Sequence, residues 1–545
     1  MSERFEKPPA KASLLRRRPL VAVLAATLLS GGCVATDPLD WVRNGFKVGP
    51  NYVQPDAPVA DHWIHAGKPG VQDRQLEDWW QVFQDPKLNS LVDRAYEQNL
   101  TLRIVGDRVM QARAQQAIAV GSIFPQTQQA TGQYSRVNLS HTTFNNPSAL
   151  SGLGSGPLPP GTAIGNAYSD WTAGFNMSWE LDFWGRFRRN TESTNATLDS
   201  SIDNLDAAIV TLLADVATNY VQYRVAQERI KIARFNIQTQ AKLVALAEEQ
   251  FKGGITLTRV DVEQLKTLLE QTRSTIPALQ IAQGQANDVL CTLLGIPPQD
   301  LESILGPGPE INSEPPNFAP MPELPAWVAV GIPSDLLRRR PDVLSAERQV
   351  AAQSAQIGVA EADLYPTIFI NGTLGYDSAK LSQLFESRSF FGNITPNFKW
   401  NILNYGRIAN NVRLQEAKTQ ELVDTYQNLV LTAAQQVETA IRGCLRSREQ
   451  AEILARSAVA AFEATKVEEK IFSERKADVN RMYTLWNALL QEQDNLAIAQ
   501  GNVALNLINV YRALGGGWEI QKQKEEGREA QELPAIEVIP PGKKL

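Results

Sequence analysis

Thiols and imidazoles are the scarcest reactive groups in this chain: Cys33, Cys291 and Cys444, with His62, His65 and His141, are all that its 545 residues hold. His62 and His65 could share one helix face, but a zinc site needs a third ligand at usual spacing and none stands nearby. Three cysteines cannot build a disulfide framework either. Gly515-Gly516-Gly517 follows a helical stretch and lacks the strand, Lys and Ser/Thr of a phosphate loop. Asp182 and Arg186 are read as an ordinary strand-to-helix salt bridge, a common and weak kind of contact. No nucleophile, acid pair or metal set is assembled, so the chain is expected to be no enzyme and to use no metal or cofactor. Cys33 is the one thiol whose setting suggests chemistry, and there the thiol is the acceptor.

Arg16, Arg17 and Arg18 precede an apolar run over residues 20–29, followed by Ser30, Gly31, Gly32 and Cys33. This is the order of an export signal, and the run is too short to span a bilayer. Ser-Gly-Gly-Cys resembles the bacterial lipobox, with Leu29 four places before the cysteine where the pattern has it three before. The resemblance makes residues 1–32 a signal peptide and Cys33 the lipid-bearing first residue of the mature chain. Val34, where Asp would resemble the inner-membrane retention signal, points to the outer membrane. Ordinary secretion with a free Cys33 is the alternative. Lys and Arg total 53 against 59 acidic residues, a net charge of −6. That balance gives no long-range attraction for nucleic acid, so none is expected as a partner.

The elements around these residues occur twice. Phe124-Pro125 and Tyr365-Pro366 each close an Ala-rich helical stretch, and the prolines lie 241 residues apart. Trp179, Gly185, Arg186 and Phe251 recur as Trp400, Gly406, Arg407 and Phe472, each 221 residues on. The first copy therefore holds a loop 20 residues longer, the glycine- and proline-rich segment at about 140–166. Residues 296–335 are rich in proline and mark an irregular waist between the copies.

After each proline the pattern has a period of two. Trp171, Ala173, Phe175, Met177, Trp179 and Leu181 alternate with Thr172, Gly174, Asn176, Ser178, Glu180 and Asp182. Ile394, Phe398, Trp400 and Ile402 alternate with Asn393, Thr395, Asn397, Lys399 and Asn401, and Ile368, Ile370, Leu374 and Tyr376 with Thr367, Asn371, Thr373 and Asp377. Residues 128–137 alternate less cleanly. Each stretch meets the roughly 9–11 residues of a tilted bilayer-crossing strand, although a soluble sandwich shows the same alternation. Four strands cannot close a cylinder, and an open edge in lipid leaves backbone groups unpaired, so transmembrane strands here require oligomerisation. Asn176, Glu180, Asn397, Lys399 and Asn401 would then line a watery lumen, and Trp171, Trp179 and Trp400 would form an interfacial aromatic girdle.

Beyond Gly185 the period changes to a coiled-coil seam: Ile202, Leu205, Ile209, Leu212, Val216, Asn219, Tyr223, Ala226, Ile230, Ala233, Ile237, Gln240, Val244, Ala247 and Phe251. No proline interrupts residues 185–251 or 406–472. At about 1.5 Å per residue each helix would run on the order of 100 Å. Shorter helices are expected at about 88–120 and 342–363 and at about 260–293 and 479–513.

Five motifs carry a family resemblance: Gly49-Pro50-Asn51-Tyr52 with Pro55; Trp79-Trp80 with Phe83 and Asp85-Pro86; Trp179-Glu180-Leu181-Asp182 with Trp184-Gly185-Arg186; Leu337-Arg338-Arg339-Arg340-Pro341-Asp342; and Ala513-Leu514-Gly515-Gly516-Gly517-Trp518. Their order along residues 49–518 resembles the bacterial outer-membrane efflux protein family, the TolC and OprM group, and within it the NodT-type lipoproteins. The resemblance implies a membrane α+β class with the TolC/OprM-like duplicated fold. A homotrimer would close a twelve-stranded β-barrel, four strands per chain, continued by a long periplasmic α-helical barrel. It also implies a passive exit duct of a tripartite pump for small toxic compounds, drugs or metals. The partners would be outer-membrane lipid, a periplasmic adaptor and an inner-membrane transporter of the RND type.

The expected organisation is a signal peptide 1–32, an N-terminal equatorial segment 33–87 and a first repeat 88–295 with its hairpin at about 127–182. A linker 296–341, a second repeat 342–518 with its hairpin at about 367–403, and an equatorial or disordered tail 519–545 follow. By resemblance the helix turns at Gly253-Gly254 and Lys476-Ala477 form the periplasmic mouth. Gate candidates there are Asp261, with Arg259 and Glu263 beside it, and Asp478 and Arg481 in the second copy. That copy departs from the family pattern, with Arg475 in place of glycine. An outlet for type I protein secretion, a lipid-anchored periplasmic coiled-coil scaffold that never inserts, and an envelope hydrolase are the competing readings.

Overall fold

The computed structural model describes residues 38–64, 74–138, 167–254, 257–306, 339–474 and 478–520. The signal segment with Cys33, His65, the loop at 140–166 with His141, most of the waist, Arg475 to Ala477 and the tail beyond Ile520 lie outside the described residues. The first half holds helices α1 (Pro38–Arg43), α2 (Arg74–Glu77), α3 (Pro86–Gln98) and α4 (Leu100–Gly121), strands β1 (Thr127–Asn138) and β2 (Ala167–Leu181), and helices α5 (Arg186–Lys252) and α6 (Arg259–Leu293). Helices α7 (Glu302–Leu305) and α8 (Pro341–Ala362), strands β3 (Thr367–Ser378) and β4 (Phe390–Lys399), and helices α9 (Arg407–Ser473) and α10 (Val479–Ala513) complete the order.

The single helix predicted at 88–120 is two, α3 and α4. Asn99 between them adopts an extended backbone, and its Oδ1 caps α4 by accepting from the Leu102 amide at 2.8 Å. The long helices α5 and α9 are each 67 residues and start 221 residues apart, at 186 and 407. The shift is not constant, however. β1 and β3 start 240 apart, at 127 and 367, although their prolines differ by 241, so Gln126 is an extra residue in the first copy. Helices α6 and α10 start 220 apart, at 259 and 479, so the second tip turn is one residue shorter.

Two compact units emerge. One comprises the chain up to Asn51, Val120–Thr191 and Ser354–Ala417. It contains one antiparallel four-stranded sheet in the order β1-β2-β3-β4. Strand β4 ends at Lys399, so Trp400, Asn401 and Ile402, predicted within the strand, belong to the connection that follows it. The Trp400 amide region already turns there, with the Ile402 N–H bonded to the Trp400 carbonyl at 3.1 Å.

The first unit is clasped by Arg189, which is 2% exposed. Its guanidinium donates to the Val48 carbonyl at 3.0 Å, the Gly49 carbonyl at 2.8 Å and Asn51 Oδ1 at 3.0 Å. Gly49 has φ +81°, and a Cβ on it would lie 2.4 Å from Gly358 Cα. The Gly49-Pro50-Asn51 motif is thus a backbone strap held by one arginine against a glycine of α8.

The other unit comprises Tyr52–Ala119, Glu192–Gln353 and Lys418 onward. Its larger core gathers Trp79, Phe83, Leu213, Tyr223, Leu290, Tyr426 and Leu507, with Trp79 stacked on Tyr511 at 5.3 Å. A second core joins Leu268, Phe472, Met482, Trp486 and Leu489. The other motifs do comparable work. Arg340 donates to Asp342 at 2.7 Å, to Gln436 at 2.9 Å and to the Ala513 carbonyl at 3.0 Å. A Cβ on Gly516 would meet the Leu76 carbonyl at 2.8 Å, so this glycine run serves close packing. The predicted seam holds along α5 except at its end, where Phe251 is 42% exposed and Gln250 is buried instead.

Gly49→Ala should lower the unfolding free energy by about 3 kcal/mol, because it combines a left-handed backbone with overpacking. Thermal unfolding in detergent checks this against the wild type. An unchanged midpoint would contradict the strap.

Candidate functional site

The register of the sheet sorts its side chains onto two faces. On one, Trp171 faces Tyr134, Phe175 faces Ala130 and Leu374, Trp179 faces Ile370, Ile370 faces Pro396, and Ile368 faces Phe398. On the other, Asn176 faces Gln129 and Thr373, Ser178 faces Asn371, Asn371 faces Thr395, and Thr367 faces Lys399. Polar neighbours bond along this second face, Ser178 Oγ donating to Asn371 Oδ1 at 2.7 Å and Asn176 Nδ2 to Thr131 Oγ1 at 3.3 Å. Asn397 belongs to the polar face but lies opposite Phe369, and Gln128 interrupts the apolar face opposite Met177. Asn401, beyond the strand, offers its carbonyl to Asn404 at 3.2 Å.

The tryptophans mark the two ends of the apolar face. Trp171 packs on Tyr134 with ring centroids 4.3 Å apart, near the end where Tyr376 meets Phe390 at 5.7 Å. Trp179 and Trp400 sit at the other end and repeat one contact. Trp179 Nε1 donates to the Ile123 carbonyl at 3.1 Å, and Trp400 Nε1 to the Leu364 carbonyl at 3.0 Å. Ile123 and Leu364 are 241 residues apart, so each returning strand is pinned to the loop that opens its own hairpin. Eight residues separate Trp171 from Trp179. At about 3.3 Å per residue they stand roughly 26 Å apart along the strand.

Strand and helix join through a corner that departs from the predicted Asp182–Arg186 pair. Asp182 instead accepts from the amides of Phe187 at 2.9 Å and Arg188 at 3.0 Å, and from Arg188 Nε at 2.9 Å. Gly185, at φ +81°, reverses the chain so that the carboxylate sits over the first turn of α5, where charge-assisted bonds to free amides are strongest. Arg186 turns to Glu180 at 3.4 Å and Asp363 at 3.8 Å. Glu180, predicted to face open water, is therefore tied into the corner, and its amide is held by the extra residue Gln126 at 2.7 Å.

At the tip, the acidic candidates serve as helix caps. Asp261 Oδ2 accepts from the Thr258 amide and hydroxyl, both at 2.7 Å, while Thr258 Oγ1 accepts from the Asp261 amide at 3.4 Å, a closed capping box. Asp478 caps α10 through the Asn480 amide at 2.9 Å. Under the 220-residue shift Asp261 corresponds to Arg481, so equivalent tip positions carry opposite charge. Glu263 and Lys266 form an exposed pair at 3.6 Å, and Arg259 is exposed. Arg481 reaches Glu468 at 3.8 Å, and the Glu468 carboxylate is only 5% exposed. Glu468 escaped the sequence reading, although it precedes Phe472 by one helical turn and so shares its buried face.

Among the described residues no group of three or more His, Cys, Asp and Glu side chains is placed to hold a metal. Cys291 and Cys444 are buried free thiols, and burial pushes the Cys444 thiol up, which leaves it unreactive. No described helix is long and apolar enough to cross a membrane.

A family described as "Outer membrane efflux protein" matches residues 91–296 and 332–516. Nodulation protein T of Rhizobium leguminosarum bv. trifolii is 29% identical over 466 residues, covering 85% of this chain and 91% of that protein. The pyoverdine export outer membrane protein OpmQ of Pseudomonas aeruginosa is 28% identical over 511 residues, covering 92% and 98%. Among solved structures, the outer-membrane channel OprN superposes with a TM-score of 0.75 at 29% identity, over 87% of this chain and 99% of that one. The fold is the duplicated TolC-like fold, with four strands contributed by one chain.

Thr258→Val should cost the first turn of α6 about 1 kcal/mol. Amide exchange at residues 259–262 should rise accordingly, with the sheet unaffected. Unchanged exchange would show that the Thr258 hydroxyl has no capping role.

Proposed function

Because the chain belongs to the outer membrane efflux protein family, we propose that it is the outer-membrane channel of a tripartite efflux pump, a passive duct through which small toxic compounds, drugs or metals leave the cell. The observation that carries this reading is the sheet: one face largely apolar and the other largely polar along β2, β3 and β4, with aromatic residues at both ends and 67-residue helices joined directly to it. A surface of that kind satisfies lipid on one side and water on the other.

Three copies would each supply four strands to one closed barrel, because no single chain can pair its own outer edges. Asn176, Asn397 and Lys399 would then face the aqueous bore, while Trp171, Trp179 and Trp400 would sit at the two lipid–water interfaces. The long helices would continue the bore through the periplasm towards an adaptor and an inner-membrane transporter, which we take to be of the RND type. Transport energy would come from that transporter, so the duct itself needs no nucleophile, cofactor or nucleotide. An acyl group on Cys33 would hold the chain at the outer membrane.

The tip residues would set ion preference. Three copies bring three Asp261 carboxylates and three Arg481 guanidinium groups to the periplasmic mouth, and a charged ring at a constriction biases the ions that pass. Single-channel recording in planar bilayers tests both points. Purified protein should give discrete conductance steps, with Asp261→Asn lowering and Arg481→Gln raising cation preference. Absence of conductance from the wild type and both variants would overturn the channel reading.

A further inference from the structure

The duplication turns an internal contact into a template for an external one. Within the chain, the first copy meets the second where β2 pairs with β3: Phe175 faces Leu374, Met177 faces Gly372 and Trp179 faces Ile370. β1 and β4 are the outer strands of the sheet. β4 repeats β2 at a shift of 221, since Trp179 recurs as Trp400. β1 repeats β3 at a shift of 240, and the hairpin registers require this value. Thr127 faces Ser178 as Thr367 faces Lys399, and Ser178 and Lys399 are themselves 221 apart.

Carrying the internal joint through these shifts sets Pro396 opposite Tyr134 of a second copy, Phe398 opposite its Gly132 and Trp400 opposite its Ala130. On the polar face it sets Asn397 opposite Gln133. Every pair keeps its face. The 241-residue spacing of the prolines would instead set Phe398 against Thr131, a polar-face residue, because a one-residue slip in a strand inverts the side-chain pattern.

Surface exposure supports the template independently. At the internal joint, Trp184 stacks on Tyr365 at 4.5 Å and donates Nε1 to the Pro366 carbonyl at 2.8 Å. The repeat mates of these two residues, Tyr405 and Phe124, are bare, at 97% and 63% exposure. The strand-face residues Ile394 and Phe398 are exposed as lipid contact alone would require, so it is the bare Tyr405 and Phe124, whose repeat mates are covered at the internal joint, that mark where the template places another copy.

We infer that β4 of one copy pairs antiparallel with β1 of the next in this register, and that Tyr405 seats on the Phe124-Pro125 corner as Trp184 seats on Tyr365-Pro366. The stagger of the internal joint is then repeated at every joint of the ring. The inference rests on the proposed trimer and adds the residue-level seam that holds it.

Disulfide trapping in the intact outer-membrane protein tests the seam. The double variant carrying Phe398→Cys and Gly132→Cys should give a dimer and trimer ladder on non-reducing gels after mild oxidation. Gly132 has room for the side chain, and Cys291 and Cys444 are buried, so single-cysteine variants give the baseline. Pairing Phe398→Cys with Ala130→Cys or with Tyr134→Cys should give several-fold less. A stronger ladder from either of those pairs, or no ladder from any pair in a protein that native mass spectrometry shows to be trimeric, would overturn the register and leave the trimer standing. A monomer in native mass spectrometry would overturn the proposed trimer and the seam together.

Discussion

An unpaired strand edge has no solvent in hydrocarbon. Each backbone N–H or C=O left without a partner there costs several kcal/mol, and the outer strands of this sheet run for 12 and 10 residues. No side-chain contact in the chain could offset that sum. Under the proposed function the sheet would therefore be only part of a membrane structure, and its edges would be met by further copies. The proposed duct follows from this constraint together with the sidedness of the strands.

The junction between strand and helix faces a related problem, since the first turn of a helix leaves amides unsatisfied. Asp182 meets two of them and holds Arg188, whose other nitrogens reach the Gly45 and Phe46 carbonyls at 2.8 and 2.9 Å. Trp179 and Trp400 fix the same end of the sheet through loop carbonyls. The corner is thus built from charge-assisted and backbone-directed bonds, which hold direction better than apolar packing alone. The cores of the second unit contain a comparable polar element: Asn236 donates to Gln493 at 2.7 Å, both nearly fully buried, beside the buried Gln240. Buried amides of this kind fix the register of packed helices at some cost in stability.

Strong periodicities make much of the fold legible in the sequence. Trp171 to Leu181 alternates because both faces of β2 meet uniform surroundings, and the α5 seam persists because one helix face is covered along most of its length. The shifts between copies were harder. Gln126 looks like an ordinary polar residue at the start of a strand, and only the hairpin register identifies it as the inserted one. The change from 221 to 220 falls in a tip turn without periodicity, so the pairing of Asp261 with Arg481 was hidden. Arg188 was missed in favour of Arg186 because sequence proximity ignores the chain reversal at Gly185. Asp261 and Asp478 were legible as acidic tip residues, but their capping roles depend on where each helix begins, which sequence sets only to within a few residues.

The central claim is that the outer edges of the sheet are paired when the protein is in lipid. Amide hydrogen exchange of the protein reconstituted in bilayers measures this directly, residue by residue. The account predicts that β1 and β4 amides are protected as strongly as those of β2 and β3. Rapid exchange along β1 and β4, with protection confined to the two inner strands, would contradict it.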